Sequence, residues 1–221
     1  MWGGLPAGGG LPDRFPLDLA SPDHGIIVFV NRVRELEQRL EGAEHQLRLL
    51  QRISRFMVRG VPLKQSLDSV VQLVVEFMEC DSCLLYLLEN NELVLCASNA
   101  AHPQSIGKVR LKLSEGLTGW VARERRLLAI SREAYHDPRF KLFSELPEDT
   151  FEAFLSAPIV FRNGVVGVIN VQHRDPHAHT GGEMELLTTV GEQVGCLLEL
   201  SRAAAADESR VASLLTSGSA V

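Results

Sequence analysis

The stretch IVFRNGVVGVINVQ, residues 159–172, constrains the fold more than any other part of the chain. Two runs rich in apolar and β-branched residues flank the pair Asn163-Gly164. Both residues of that pair tolerate positive φ, which a type I′ turn requires, so the stretch predicts a β-hairpin. The second arm, Val165 to Val171, is too apolar to keep one face in water. We therefore expect the hairpin to lie inside a sheet that is covered on both sides.

The charge balance and the apolar pattern exclude several classes of protein. The chain of 221 residues has 28 acidic and 22 basic side chains and no dense basic run, which argues against nucleic-acid binding. No stretch reaches the roughly 18 continuous apolar residues of a transmembrane helix, and the Gly/Pro-rich N-terminus lacks the order of a signal peptide. Four cysteines do not suggest a disulfide scaffold at this length. We expect a reduced, cytoplasmic protein that binds neither nucleic acid nor membrane.

The sequence divides into four segments. Residues 1–25 are rich in glycine and proline, and residues 207–221 are small and polar, so both predict disordered tails. Between them, residues 26–57 predict one long helix, and residues 58–206 predict a compact mixed domain.

The long helix carries the pattern of a coiled coil. Its apolar residues recur in alternating steps of three and four, which defines heptad positions a and d. Arg32 and Arg39 fall at position g. Glu37 and Glu44 fall at position e of the following heptads, so two parallel copies would set arginine opposite glutamate. We expect a parallel homodimer; the alternative is an amphipathic helix that packs on its own domain. The residues of this dimer seam are Val33, Leu36, Leu40, Ala43, Leu47 and Leu50.

The remaining elements predict an α+β domain. After the long helix the expected order is α-β-β-β-α-β-α-β-β-α. Asn90-Asn91 lies between two apolar runs and predicts a further hairpin. Asp137-Pro138 has the residue types of an N-cap and first helical position, and the segment Thr180–Glu183 is a capping box before the last amphipathic helix. This order is typical of an antiparallel sheet with helices on both faces.

Three segments together carry a specific resemblance. They are EGLTGWVARERRLLAI from Glu115, DPRFKLF from Asp137 and FLSAPIVFRNGVVGVINVQ from Phe154, and a closing amphipathic helix follows. Over about residues 55–200 the chain resembles a GAF domain. It is similar to bacterial signalling modules of that family, which include the N-terminal sensor of the nitrogen-branch phosphoenolpyruvate-protein phosphotransferase.

The resemblance implies both a fold and a function. The implied fold is a six-stranded antiparallel sheet with a small-molecule pocket on one face and dimers joined through the terminal helices. The implied function is a non-catalytic sensory or regulatory module in bacterial signal transduction. Such a module would bind a small metabolite and, because the chain shows no output domain, would act through a partner protein.

The wall of the implied pocket is the segment between the third strand and the last hairpin. Six of the chain's thirteen aromatic residues lie there within 35 positions, which suits an apolar pocket. The same residues would also suit a filled core, in which case the domain would be a dimerisation scaffold. The implied pocket residues are Trp120, Ile130, Tyr135, His136, Phe140, Phe143, Phe151 and Phe154.

The cysteines offer an enzymatic alternative. Cys80 and Cys83 have the C-x-x-C spacing of redox and zinc-binding pairs, but without a second pair they favour buried small hydrophobic residues. Some members of the resembled family are free-methionine sulfoxide reductases, and in such an enzyme Cys83 and Cys96 would face each other across the first hairpin. Those enzymes use a further cysteine in the wall around SEGLTGWVA, where this chain has none. We expect no catalytic residue.

A histidine cluster is the last candidate for chemistry. His173, His177 and His179 lie within seven residues, and imidazoles bind zinc or nickel. A tetrahedral site also needs a fourth ligand and hydrogen-bond support, which the sequence does not indicate, so a polar loop is favoured. No nucleotide-binding glycine loop and no cyclic-nucleotide motif is present. We therefore expect no metal and no cofactor.

Overall fold

The computed structural model of the protein describes residues 22–99, 103–141 and 151–217. It divides into two units, Met1–Ala43 and Glu44–Val221. The first unit, as far as it is described, is the first part of a long helix, α1 (Pro22–Arg59). The second unit contains the end of α1 and a mixed domain.

The mixed domain has the predicted α+β architecture. Its six strands form one sheet in the order β3-β2-β1-β6-β5-β4, and every neighbouring pair is antiparallel. Short 3₁₀ turns lie at Pro103–Ser105 and Ala134–His136. The elements are α2 (Leu63–Met78), β1 (Ser82–Glu89), β2 (Glu92–Ser98), β3 (Arg110–Lys112), α3 (Gly116–Glu124), β4 (Leu128–Ile130), β5 (Ala153–Phe161), β6 (Gly164–His173) and α4 (Gly181–Ser217).

Helices cover both faces of the sheet, as the sequence predicts. One face packs against α2, α4 and the end of α1, and its core includes Leu85, Ile159 and Ile169. The opposite face packs against α3, and its core includes Leu84 and Val168. Successive residues of a strand point to opposite faces, so the central strands are apolar in both directions. None of the helices in the described ranges is long and apolar enough to cross a membrane.

The long helix α1 has two kinds of apolar residue. Leu49 and Ile53 are fully buried in the core of the second unit, and Leu50 of the dimer seam is half-buried against the same core. The other seam residues, Val33, Leu36, Leu40, Ala43 and Leu47, are exposed in the single chain. The end of α1 thus packs on its own domain, whereas the earlier seam residues are exposed in the part of the chain that the structure describes.

Both ends of the described chain differ from the predicted tails. Residues 22–25, within the predicted tail 1–25, already belong to α1, and residues 1–21 lie outside the described residues. The last helix, α4, runs to Ser217 and so continues through most of the predicted tail 207–221. The run of alanines from Ala203 to Ala206 explains the continuation, because alanine has the highest intrinsic helix propensity.

Close contact between α4 and β5 depends on two glycines one helical turn apart. A Cβ atom at Gly191 would lie 2.9 Å from the carbonyl oxygen of Pro158, and one at Gly195 would overlap the carbonyl oxygen of Val160. Both obstacles are backbone atoms, which cannot move aside as a side chain does. The two glycines therefore let the helix approach the strand more closely than alanine would.

The turn of the last hairpin lies one residue earlier than predicted. Arg162 and Asn163 have φ of 45° and 63°, as the two central residues of a type I′ turn require. Gly164 is not in the turn but begins β6, where it pairs with Phe161. Burial on both faces of β5 and β6 sets this register, so the packing of the strands selects the pair that turns.

The predicted helix at Asp137-Pro138 is also wrong for the residues that are described. Residues 137–141 contain no helix, and residues 142–150 lie outside the described ranges. The Asp137 carboxylate instead accepts hydrogen bonds from the backbone N–H of Arg139 at 2.9 Å and from its guanidinium at 2.8 Å and 2.7 Å. Asp and Asn side chains accept backbone N–H groups in local turns as well as at helix N-caps. The residue types at positions 137 and 138 therefore do not distinguish a turn from the start of a helix.

A turn variant tests the corrected register. We expect Asn163→Val to lower the free energy of unfolding by about 1–2 kcal/mol, because a β-branched residue is strained at positive φ. Gly164→Ala is the control, since a Cβ there would meet the Phe161 carbonyl oxygen at an ordinary 3.4 Å. Denaturant unfolding of both variants gives the comparison. A larger loss for Gly164→Ala than for Asn163→Val would return the turn to Asn163-Gly164.

Candidate functional site

The sheet face beneath α3 carries a group of buried polar side chains. Core residues Leu84 and Val168 lie on this face, so Ser82 and Asn170, two positions away along β1 and β6, lie on it as well. Buried side chains of this kind are uncommon in a core unless they are hydrogen-bonded. This polar cluster consists of Ser82, Thr118, Ser156, Asn170 and Gln172.

Three members of the polar cluster form a chain of hydrogen bonds. Ser156 Oγ of β5 donates to Asn170 Oδ1 of β6 at 2.6 Å. Asn170 Nδ2 then donates to Thr118 Oγ1 of α3 at 2.8 Å. The chain is buried, so each bond is made in a medium of low dielectric constant. It ties α3 to the two strands of the last hairpin.

The other two members of the polar cluster have unpaired oxygens. Ser82 Oγ and Gln172 Oε1 are buried without a hydrogen-bond partner. The two residues are opposite each other across β1 and β6, and Gln172 is in turn opposite Phe154 of β5. An unpaired buried polar atom costs about 1–3 kcal/mol. A bound molecule with polar groups would remove that cost, so this row of the sheet has the properties of a binding floor.

An apolar cluster lies beside the polar one. Leu117 of α3, Ala134 and Phe154 are buried together, and Ile130 and Phe140 pack against them. Three of the predicted pocket residues, Ile130, Phe140 and Phe154, are therefore brought together next to Gln172. Apolar walls with a few polar groups are the usual composition of a small-molecule site.

Two further predicted pocket residues lie near this cluster but have other neighbours. Trp120 packs on the neighbouring core around Leu84, and the Arg139 guanidinium stacks over its ring at 4.6 Å. Phe151 is buried, and the Arg174 guanidinium lies 5.5 Å from its ring. Phe143 lies outside the described residues.

Tyr135 braces the segment before β5, and neither Tyr135 nor His136 is part of the apolar cluster. The Tyr135 hydroxyl donates to Glu152 Oε1 at 2.8 Å, and the backbone N–H of Glu133 donates to Glu152 Oε2 at 2.9 Å. These hydrogen bonds lower the pKa of Glu152, while the bond to Glu152 raises the pKa of Tyr135. The His136 ring is largely exposed, 3.9 Å from Glu133. Tyr135 is thus positioned to hold the segment in place, and His136 lies on its surface.

The positions and the pKa values of the cysteines favour a structural role over a catalytic one. Cys83 is opposite the Asn99 side chain, whose Oδ1 accepts its backbone N–H at 2.7 Å, and Cys96 falls at an irregularity of the β1–β2 pairing. The two thiols are thus not opposite each other across the hairpin. Burial raises the pKa of Cys80 to about 12 and raises that of Cys83 well above its usual value. Both shifts disfavour the thiolate that nucleophilic attack at neutral pH requires.

An open, mostly apolar groove of about 340 Å³ lies between α2 and β2, lined by residues that include Leu63, Leu67 and Cys96. None of its lining side chains has a buried polar atom without a partner. The groove offers apolar contact but no buried polar atom that lacks a hydrogen-bond partner. The row of the sheet beneath α3 has two such atoms, so it is the stronger candidate for a ligand site.

The polar cluster was not among the residues selected from the sequence. Asn170 and Ser156 do interrupt otherwise apolar runs, VVGVINVQ and FLSAPIV, and such an interruption inside a strand is the available signal. Its partners Ser82, Thr118 and Gln172 give no comparable signal, because their burial depends on elements far apart in sequence.

Comparisons with known proteins agree with the fold. A family model for the GAF domain matches residues 62–198. The crystal structure of the GAF domain from the Acinetobacter phosphoenolpyruvate-protein phosphotransferase is 32% identical, with a TM-score of 0.65 over 72% of this chain and 95% of that one. The corresponding domain from Coxiella burnetii is 27% identical, with a TM-score of 0.69 over 74% and 98%.

Two further comparisons bear on function. The Nif-specific regulatory protein of Azospirillum brasilense is 24% identical over 167 residues, or 72% of this chain and 27% of that protein. The chain thus spans about a quarter of the length of such relatives. The free methionine-R-sulfoxide reductase of Neisseria meningitidis has a TM-score of 0.62 at 14% identity, over 74% of this chain and 93% of that one. At that identity the likeness concerns the fold alone.

Thiol modification tests the placement of the cysteines. We expect iodoacetamide at neutral pH to label Cys196, which is exposed, and to leave Cys80 and Cys83 unlabelled, because burial blocks access and raises their pKa values. Peptide mass spectrometry over a time course measures each site. All four cysteines should react at similar rates in denaturant. Labelling of native Cys83 as fast as that of Cys196 would reopen the reductase alternative.

Proposed function

The chain belongs to the GAF domain family, and from that premise we propose that it is a non-catalytic regulatory module of bacterial signal transduction. It binds a small metabolite beneath α3 and acts through a partner protein. The regulatory role is supported by relatives whose names describe a regulator of Nif and phosphotransferase-system proteins. Each of those relatives is several times longer than the matched region, so the output of this chain is part of the proposal.

The pair of unpaired oxygens on the sheet carries this proposal. Ser82 Oγ and Gln172 Oε1 are buried next to each other on neighbouring strands, beside the apolar cluster around Phe154. A molecule that binds there gains hydrogen bonds with groups that have already lost their water, so its polar atoms are recognised specifically. The sheet also supplies a rigid floor, since β1 and β6 lie in the middle of the sheet.

The chemistry of the site favours a small, polar organic molecule. The polar cluster contains hydroxyl and amide groups, which donate and accept hydrogen bonds and carry no charge. Such groups suit hydroxyl, amide, carbonyl and amino functions rather than a polyanion, which would require arginine or lysine. The apolar cluster suits a short hydrocarbon portion. These features support binding rather than catalysis, because hydroxyls and amides are weak acids and bases.

A route from ligand to output follows from the connections of the polar cluster. Ligand contact at Gln172 and Asn170 acts on β6, and Asn170 is hydrogen-bonded to Thr118 of α3. The same strand leads through a short loop into α4. A ligand that prefers one arrangement of these elements shifts their equilibrium by its difference in affinity, typically about 1–3 kcal/mol.

We also propose that the protein is a parallel homodimer through α1. Leu36 and Leu40 of the dimer seam are 49% and 61% exposed in the single chain, and Phe29, at the preceding d position, is 68% exposed. A second copy of the helix would cover this stripe by coiled-coil packing. Arg32 already pairs with Glu35 of its own helix at 3.0 Å, so the apolar seam rather than the charges would supply most of the stabilisation.

The ligand site is tested by changing its unpaired oxygens. We expect Ser82→Ala and Gln172→Met to leave the free energy of unfolding unchanged or to raise it by up to about 3 kcal/mol, because each removes a buried group without a partner. The control Ser156→Ala removes a made hydrogen bond, leaves Asn170 Oδ1 unpaired and should lower the free energy of unfolding by about 1–3 kcal/mol. Denaturant unfolding measures all three.

Binding is then measured with the same variants. Thermal-shift screening of amino acids, 2-oxo acids and nucleotides should find a compound that raises the melting temperature of the native chain. The Ser82→Ala and Gln172→Met variants should lose that response although they are folded. If no compound raises the melting temperature of the native chain, or if the response survives in both variants, the filled-core scaffold is the better description.

The dimer is tested by charge in the seam. Leu40→Lys with Leu47→Lys places like charges opposite each other in a parallel pair, and we expect monomers by light scattering. Val58→Lys is the matched control, since Val58 lies on the same helix, is 86% exposed and falls outside positions a and d. An unchanged dimer mass in the double variant, or loss of the dimer in the control, would contradict pairing through this seam.

A further inference from the structure

Three histidines converge where β6 ends and α4 begins. His173 is the last residue of β6, and His177 and His179 lie in the loop that follows. One ring nitrogen from each histidine lies within 4.8 Å of the others. The ring centroids of His173 and His177 are 4.1 Å apart, and those of His177 and His179 are 4.9 Å apart. Residues that the sequence places in a polar loop thus form one compact cluster.

Half of the six ring nitrogens in the cluster are buried without a hydrogen-bond partner. Both nitrogens of His179 and Nε2 of His173 are buried without a hydrogen bond. A neutral imidazole has one N–H to donate and one lone pair to share, so this arrangement leaves strong polar groups unsatisfied. A metal ion bound to the lone pairs would compensate their loss of water.

The third ring is held by a carboxylate. His177 Nε2 lies 2.8 Å from Glu183 Oε1. The second oxygen of Glu183 accepts the backbone N–H of Thr180 at 2.6 Å and its hydroxyl at 2.8 Å, which completes the capping box of α4. A carboxylate bonded to one nitrogen of a histidine orients the ring so that the other nitrogen faces the metal. This is the support that the sequence alone did not indicate.

The loop is anchored on both sides of the cluster. The backbone N–H of His177 donates to the carbonyl oxygen of Ser131 at 2.9 Å. The backbone N–H of Arg174 donates to Asp81 Oδ2 at 2.8 Å. Gln46 of α1 donates to the carbonyl oxygen of Gly182 at 3.3 Å, at the first turn of α4. The backbone on both sides of the cluster is therefore held in place by bonds that leave the ring nitrogens free and the side chains able to rotate.

We propose that His173, His177 and His179 bind one divalent transition-metal ion, with zinc as the reference case and a fourth position open to water or another ligand. Zinc–nitrogen distances of about 2.0–2.1 Å set the nitrogens of a tetrahedral site about 3.3 Å apart. The rings therefore have to move together by about an ångström or more, which side-chain rotation can provide. The metal would join the end of β6 to the first turn of α4.

Metal titration of the full chain tests this site. Zn²⁺ is titrated into metal-free protein in competition with a chromogenic chelator, and we expect one ion per chain. His177→Ala and His179→Ala should each weaken binding by more than about 100-fold, since each removes a direct ligand. Glu183→Gln keeps the capping box but removes the charge, and it should weaken binding by about 10–100-fold.

Matched controls separate this site from other ligands. His136→Ala removes an exposed histidine outside the cluster, and Cys196→Ser removes the exposed thiol; neither should change the affinity. Co²⁺ in place of Zn²⁺ should show ligand-field bands without a thiolate charge-transfer band. Nuclear magnetic resonance of the ring nitrogens should show shifts for His173, His177 and His179 on Zn²⁺ addition, and this readout requires no variant.

Several results would overturn the proposal. The first is the absence of Zn²⁺ binding at micromolar concentrations in the native chain. The second is an affinity that the His177→Ala and His179→Ala variants keep. The third is binding that disappears with Cys196→Ser, and the fourth is a set of ring-nitrogen shifts confined to other histidines. None of these outcomes depends on whether a metabolite binds beneath α3.

Discussion

Burial of the central strands on both faces is the constraint on which the rest of the structure depends. Leu85, Ile159 and Ile169 point toward α2 and α4, while Leu84 and Val168 point toward α3. Since side-chain direction alternates along a strand, a shift of one residue would exchange the two sets and disrupt both cores. That requirement sets the register of β1, β5 and β6. It therefore decides where the last hairpin turns and which side chains meet across the sheet.

The two faces of the sheet are covered by different kinds of side chain. The face toward α4 is apolar and tightly packed, and Gly191 and Gly195 allow the helix to approach β5 closely. The face toward α3 contains the polar cluster, in which Asn170 is satisfied and Ser82 and Gln172 each have an unpaired oxygen. The first face resembles an ordinary close-packed core, in which a change in side-chain volume alters the stability of the fold. The second face retains two buried oxygens without a hydrogen-bond partner, which is a property that suits a ligand site.

Both proposed sites act on the same strand. Residues 170 and 172 of β6 contribute to the floor beneath α3, and His173, the next residue, begins the histidine cluster that reaches Glu183 of α4. Events at either site therefore act through β6 and the short loop after it. This arrangement would give the domain a physical connection between the proposed small-molecule site and its last helix, α4, which continues to Ser217.

Sequence alone determined the mixed fold, the heptad pattern of α1 and the order of the helices and strands, apart from the helix wrongly expected at Asp137-Pro138, because periodicity reports how side chains point within one element. It also brought Ile130, Phe140 and Phe154 into one predicted wall, and the structure packs them together. Only the tertiary structure decided that the turn includes Arg162 rather than Gly164, that Ser82 lies opposite Gln172, and that Glu183 is bonded to His177 in a cluster of three histidines. Each of these depends on register or on contact between elements, and no local pattern encodes distances across the fold.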